Sequence, residues 1–124
     1  MRGSTEDMPI AAEVQGVVIR QADWGDMTAS LEHFPAGLDT APIFQGLPDD
    51  RCQCPHWGFV ISGRVRVVYA DREEVFSSGD AYHMPPGHTT VFDEDTDVIE
   101  FSPRGLYQET MEVAGRNAAA LAAG

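Results

Sequence analysis

Short runs rich in β-branched and aromatic residues follow one another along most of this chain. Gly, Pro, Asp and Ser separate the runs, as in "PAGLD", "LPDD", "SSGD" and "PPGH", and these residues favour the backbone conformations of tight turns. Short strands at fairly regular spacing are typical of an all-β sandwich or barrel. Because 124 residues are enough for one hydrophobic core and too few to divide comfortably into two, we expect a single domain.

The end of the chain has a different pattern. The segment "LYQETMEVAGRNAAALAAG" is rich in good helix formers, and its apolar residues recur near one helical face. We therefore predict that residues 105–124 form one α-helix, packed on the outside of the barrel or on a partner chain. Residues 13–104 are predicted to form the barrel, and residues 1–12 a flexible N-terminal segment.

The charge of the chain limits its partners. Eight Lys and Arg against twenty Asp and Glu give a net charge of −12, and a field of that sign repels nucleic acid and anionic membrane surfaces. No apolar run approaches the roughly 18 residues of a membrane span, and the N-terminus lacks a signal-peptide core. The only cysteines, Cys52 and Cys54, are too close in sequence for an unstrained disulfide. We expect a cytoplasmic protein that binds neither nucleic acid nor membranes.

Three potential metal ligands occupy every second position at the start of "CQCPHWGFVISG". Side chains of a strand alternate between its two faces, so Cys52, Cys54 and His56 would point the same way if this stretch is extended. A single buried cysteine is more often a small hydrophobic residue of the core than a ligand. Three donors in strict alternation favour a metal site, with core filling as the alternative.

A resemblance to a known family rests on three segments, "CPHWGFVISGRVRVVYA", "SSGDAYHMPPGH" and "VIEFSP". Over positions 30–104 the chain resembles a small single-domain cupin, a double-stranded β-helix or jelly-roll barrel. The more specific motif places Gly79, Pro85 and Gly87 as in the cupin pattern of a glycine, five residues and a Pro-x-Gly turn. The resemblance implies a β-barrel around a metal site.

The metal ligands that the resemblance implies depart from the usual cupin set. With Gly63 aligned to the glycine that closes the first motif, His56 stands where cupins carry glutamate and Cys52 near their second histidine. In the second motif Thr90 takes the place of the last histidine, and His88 follows the turn glycine instead. Together, Cys52, Cys54, His56 and His88 make a Cys2His2 set. This set suits zinc best, with iron and copper as the alternatives.

Two kinds of function are compatible with these residues. If three residues bind the metal, an open position favours an enzyme that acts on a small molecule in the barrel cavity. Four ligands would give a closed site and a non-catalytic binding or structural module. For the enzyme, Tyr82, His83 and Glu32 are the candidate catalytic residues, with Tyr82 and His83 expected near the barrel mouth. We also expect a homodimer, because such barrels leave sheet edges and apolar outer faces to cover.

Overall fold

A computed structural model describes residues 1–124 as nine strands, two short 3-10 helices and one C-terminal α-helix. The strands are β1 (Ile10–Val14), β2 (Val17–Trp24), β3 (Met27–Phe34), β4 (His56–Ser62), β5 (Arg64–Val68), β6 (Glu73–Ser77), β7 (Ala81–Met84), β8 (Thr89–Phe92) and β9 (Thr96–Pro103). The 3-10 helices are Ala41–Phe44 and Pro48–Asp50, and α1 is Arg104–Ala123. The predicted all-β fold with a C-terminal helix is confirmed.

The strands form two antiparallel sheets. The larger sheet has the order β1-β2-β3-β9-β4-β7 and the smaller one the order β6-β5-β8. Apolar residues alternate along the strands, so each sheet has one apolar face. The two apolar faces pack against each other and are buried between the sheets. The main core draws on both sheets and comprises Val60, Val65, Val67, Tyr69, Phe76, Tyr82, Met84, Phe92 and Val98.

Two segments with strand-forming residues do not form continuous strands. "APIF" forms the first 3-10 helix, in which Pro42 occupies the first turn, where its missing N–H costs no hydrogen bond. In "CQCPHWGFVI" the strand begins only at His56. Pro55 directly precedes that strand and has no N–H to donate to a strand ladder. The residues just before Arg51 form the second 3-10 helix, with positive φ at Asp49 and Asp50, so an extended segment cannot begin there.

The ends of the chain differ from the predicted boundaries. Strand β1 begins at Ile10 and pairs with β2, so the barrel starts before residue 13. The preceding segment is attached to the barrel, because Met8 is buried and its carbonyl accepts a hydrogen bond of 2.9 Å from Arg20 Nη1.

Helix α1 covers one side of the interior instead of packing on the outer surface of the barrel. Its buried residues are Tyr107, Thr110 and Ala114, and Asn117 Nδ2 donates hydrogen bonds of 2.8 Å to the carbonyls of Ile43 and Gln45. The helix is thus fixed to the first 3-10 helix. No helix of the structure has the combination of length and apolarity that a membrane span requires.

Candidate metal centre and cavity

Three of the four predicted ligands lie together in the interior. Potential ligand atoms of Cys52, His56 and His88 all lie within 4.8 Å of one another, and all three residues are buried. The Cys52 Sγ is 3.6 Å from His56 Nε2. A thiol and two imidazoles that converge in this way form a donor set that transition metals favour.

The backbone holds Cys52 and His88 side by side. The two residues form an isolated antiparallel bridge, in which Cys52 N–H donates to the His88 carbonyl at 2.9 Å. The Cys52 carbonyl accepts from Gly87 N–H at 2.8 Å, and Gly87 has a φ of 95°, which a residue with a side chain adopts only with strain. The Pro-x-Gly turn therefore places His88 against the segment that carries Cys52.

Both histidines are oriented by their Nδ1 atoms. His88 Nδ1 lies 2.7 Å from the Pro85 carbonyl, which can only accept, so this nitrogen carries the proton. His56 Nδ1 lies 3.0 Å from Glu100 Oε1 and 2.7 Å from Ser102 Oγ. A proton on Nδ1 leaves Nε2 of each ring unprotonated and able to bind a metal ion. Hydrogen bonds to the other ring nitrogen commonly fix the tautomer of metal-binding histidines in this way.

Burial shifts the ionisation of the candidate ligands. It raises the pKa of the Cys52 thiol to about 12. Burial and the proximity of His56 lower the pKa of His88 to about 4, so its imidazole is neutral at physiological pH. Without a metal ion, the cluster therefore combines a neutral thiol with a neutral His88 ring.

The structure does not bring the fourth predicted ligand, Cys54, into the cluster. Its side chain is fully buried and its thiol donates to the Pro55 carbonyl at 3.4 Å, while burial raises its pKa to about 12. Residues 52–55 are not a strand, so the alternation that would have aligned Cys54 with Cys52 and His56 does not apply. Cys52 itself is held firmly, because it is 2% exposed and its backbone N–H and carbonyl both bond to the 87–88 turn.

A pair of buried carboxyl groups lies next to the cluster. Glu32 on β3 and Glu100 on β9 are both 8% exposed. Burial and the charge of Glu100 raise the pKa of Glu32 well above its ordinary value. Burial alone would also raise the pKa of Glu100, but attraction to His56, together with Glu32 and Tyr82 nearby, lowers it. The pair is thus a neutral Glu32 beside an ionised Glu100.

Sequence reasoning missed Glu100, although a signal was present. In "DVIEFS" it shares its strand face with Val98 and Ser102, both buried. An acidic residue on the inward face of a strand is uncommon and points to a specific partner. The partner could not be identified without knowing that β9 lies between β3 and β4.

Gly58 explains how Tyr82 is accommodated. Gly58 lies between Tyr82 and Glu100 in register across the sheet. A Cβ at Gly58 would lie 2.6 Å from the Tyr82 hydroxyl and would also collide with the carbonyl of Ile99. The absent side chain leaves the space that the Tyr82 ring occupies, and this ring stacks on Phe76 with centroids 4.8 Å apart.

The cluster and the carboxyl pair open on one cavity of about 460 Å³. Its walls come from the inner face of the larger sheet, the first 3-10 helix and α1, and most of its lining residues are apolar. Tyr107 of α1 reaches into it and accepts a hydrogen bond of 2.6 Å from Gln21 Nε2. The size and the apolar lining are those of a site for a small organic molecule.

The three candidate catalytic residues have different positions. Glu32 and Tyr82 line the cavity. His83 does not, because neighbouring residues of β7 point to opposite faces, and its ring stacks on the exposed Trp57 with centroids 4.9 Å apart. The prediction that His83 lies at the barrel mouth is therefore wrong.

Comparison with known proteins identifies the fold. No family model matches the chain, and no curated protein does. Among solved structures, the polyketide cyclase RemF from Streptomyces resistomycificus matches with a TM-score of 0.62 at 18% identity, covering 83% of this chain and 78% of that one. KdgF from Halomonas sp. matches with a TM-score of 0.58 at 22% identity over 81% and 92% of the two chains.

An RmlC-like cupin from Shewanella frigidimarina also matches, with a TM-score of 0.59 at 17% identity over 82% of this chain and 88% of that one. These neighbours are cupin-type proteins. The chain therefore has the fold of a small cupin, as the motifs around Gly79 and Gly63 led us to expect. At these identities the likeness concerns the fold, so any activity must be argued from the site.

Proposed function

We propose that this cupin binds one transition-metal ion through Cys52, His56 and His88, and that the ion serves the binding or conversion of a small molecule in the cavity. The observation that carries the proposal is the convergence of three buried donor residues whose ligand atoms lie within 4.8 Å of one another. Both imidazoles are already oriented by acceptors on Nδ1.

Zinc is the first choice for the ion. Usual Zn–S and Zn–N bond lengths with a tetrahedral angle place the sulfur and nitrogen about 3.5 Å apart, and the Cys52 Sγ to His56 Nε2 distance is 3.6 Å. One thiolate with two imidazoles also suits a softer ion better than the carboxylate-containing cupin set does, so copper and iron are the alternatives. A zinc ion held by three residues would supply a Lewis acid with a position open to water or ligand.

Metal analysis of variants tests the proposal and separates it from the closed Cys2His2 alternative. Protein purified without a metal-affinity step should carry about one zinc per chain. Cys52→Ala and His88→Ala should lose most of it, whereas Cys54→Ala, the matched control at a buried cysteine, should retain it. Loss of metal from Cys54→Ala as large as from Cys52→Ala would favour the closed site. Equal metal content in wild type and Cys52→Ala would refute both sites.

We also propose a homodimer formed through the outer face of the larger sheet. Trp57, Phe59, Ile61 and Phe101 are between 38% and 49% exposed on neighbouring strands β4 and β9. In register, Trp57 is opposite Phe101 and Phe59 opposite Ile99. A surface of adjoining large apolar side chains is unusual on a monomer.

Sedimentation of matched variants tests the dimer. Phe59→Glu should dissociate it, because a carboxylate would be buried unpaired at the interface. Val75→Glu is the control, since Val75 is 52% exposed on the smaller sheet. A wild type that remains monomeric at micromolar concentrations, or equal effects of the two substitutions, would contradict this proposal.

A further inference from the structure

One part of the cavity wall is a polar strip formed by Glu32, Glu100 and Tyr82. All three residues line the cavity and are buried. A volume of about 460 Å³ corresponds to roughly fifteen groups of the size of water, at about 30 Å³ each. The cavity can therefore hold a molecule of about ten to fifteen non-hydrogen atoms.

Two atoms of this strip are buried without a hydrogen-bond partner. They are Glu32 Oε1 and the Tyr82 hydroxyl, on residues that are 8% and 7% exposed. Leaving a buried polar atom unsatisfied costs about 1–3 kcal/mol. A ligand that satisfies both atoms would recover much of that cost, so the two atoms together indicate what the ligand must present.

The chemistry of the two groups indicates which ligand group could satisfy both atoms. A tyrosine hydroxyl and a neutral carboxyl group can each donate one proton and accept another. Burial raises the pKa of Glu32 well above its ordinary value, which favours the neutral carboxyl group. A hydroxyl group on the ligand also donates one proton and accepts another, so it can satisfy the two atoms with hydrogen bonds in either direction. A carboxylate on the ligand could only accept, and it would place a third acidic group beside Glu32 and Glu100.

We propose that the cavity binds a neutral, mainly apolar molecule with a hydroxyl group, such as a phenol or an alcohol, and that this hydroxyl lies between Tyr82 and Glu32. The inference rests on the proposed function only in using the same cavity, since neither residue is a metal ligand. It specifies the substrate class that the proposed metal site leaves open.

Three probes of nearly equal size test the proposal: 2-naphthol, naphthalene and 2-naphthoate. Their dissociation constants are measured by titration calorimetry or ligand fluorescence, with protein as purified and after removal of its metal. Two added hydrogen bonds should make 2-naphthol bind at least about tenfold more tightly than naphthalene. The carboxylate 2-naphthoate should bind most weakly. The order should be the same with and without metal.

Two tyrosine substitutions localise the effect. Tyr82→Phe removes one of the two hydrogen bonds, so it should reduce the preference for 2-naphthol over naphthalene at least about threefold. Naphthalene binding should stay intact, which also shows that the cavity is folded. Tyr69→Phe is the matched control, because its hydroxyl is also buried without a partner but does not line the cavity. It should leave every dissociation constant unchanged.

Several results would overturn the assignment. These are equal affinity for 2-naphthol and naphthalene, tightest binding of 2-naphthoate, failure of all three probes to bind, and equal losses in Tyr82→Phe and Tyr69→Phe. A preference for 2-naphthol that disappears with the metal would also overturn it, because the hydroxyl would then depend on the ion. None of these results changes the metal content of the protein, so the metal proposal is judged separately.

Discussion

Replacement of Glu32 by Gln should stabilise the metal-free protein, by an amount that grows with pH. Glu32 is buried, and burial with the charge of Glu100 raises its pKa above 4.5, the ordinary value of a glutamate. Between that value and its folded-state pKa, the folded protein binds a proton that the unfolded chain does not. The free energy of unfolding therefore falls as pH rises through this window. Glutamine has the shape of the neutral carboxyl group and no proton to lose.

The magnitude follows from the one proton involved. A full difference of one bound proton changes the free energy of unfolding by about 1.4 kcal/mol for each pH unit. The advantage of Glu32→Gln over wild type should thus be small near pH 4.5 and increase by up to about 1.4 kcal/mol per unit above it. It should become constant once the pH passes the folded-state pKa of Glu32.

Urea denaturation at four pH values between 4.5 and 7.5 provides the measurement. Both proteins are kept in chelator, because a metal that binds only the folded state would add its own stabilisation. The control is Glu109→Gln, which removes an exposed carboxylate from α1 and should give no such widening. Parallel stability curves for wild type and Glu32→Gln would show that Glu32 ionises alike in both states, and would refute the reasoning.

Three further predictions concern the site and its walls. Gly58→Ala should lower stability by about 1–3 kcal/mol in urea denaturation, because its Cβ would lie 2.6 Å from the Tyr82 hydroxyl; an unchanged midpoint would contradict this. Asn117→Ala removes two hydrogen bonds of 2.8 Å, so we expect the free energy of unfolding to fall by about 1–2 kcal/mol. Amide exchange should also become faster in the second half of α1, and unchanged exchange would show that Asn117 does not hold the helix in place. Because the Cys52 thiol has a pKa of about 12, zinc uptake at pH 7 should release about one proton per chain. The released proton makes the calorimetric heat of zinc binding depend on the buffer, and Cys52→Ala should abolish this proton release.

The sequence predicted the fold well because its strongest signals are local. Turn residues such as Gly79 and Gly87 have positive φ in the structure, and alternating apolar residues identify the inner faces of β5 and β9. These features depend on the chemistry of neighbouring residues and need no knowledge of which strands pair. The C-terminal helix was predicted equally well from its composition, but the sequence did not show that it faces the cavity.

The candidate site was predicted less well, because it depends on local irregularity and on strand order. The expected alternation from Cys52 to His56 required an extended segment, and Pro55 and the 3-10 helix before Arg51 interrupt it. Cys52 reaches the cluster through its bridge to His88. A pattern of period two could not show this, since the pairing brings together residues 36 positions apart in the numbering.

The polar strip of the cavity follows from how the larger sheet aligns its strands. In register, Glu100 on β9 lies opposite Ser30 on β3 and Gly58 on β4, and Gly58 lies opposite Tyr82 on β7. Glu32 lies two residues along β3, on the same face as Ser30. The glycine is what makes this alignment work, because any side chain between Tyr82 and Glu100 would separate the tyrosine from the carboxyl groups. A hydroxyl donor, a neutral carboxyl group and an ionised one thus come from three strands that are distant in sequence. The candidate metal ligand His56 contacts the same Glu100. The same sheet face therefore both orients a candidate metal ligand and supplies the unpartnered polar atoms of the cavity.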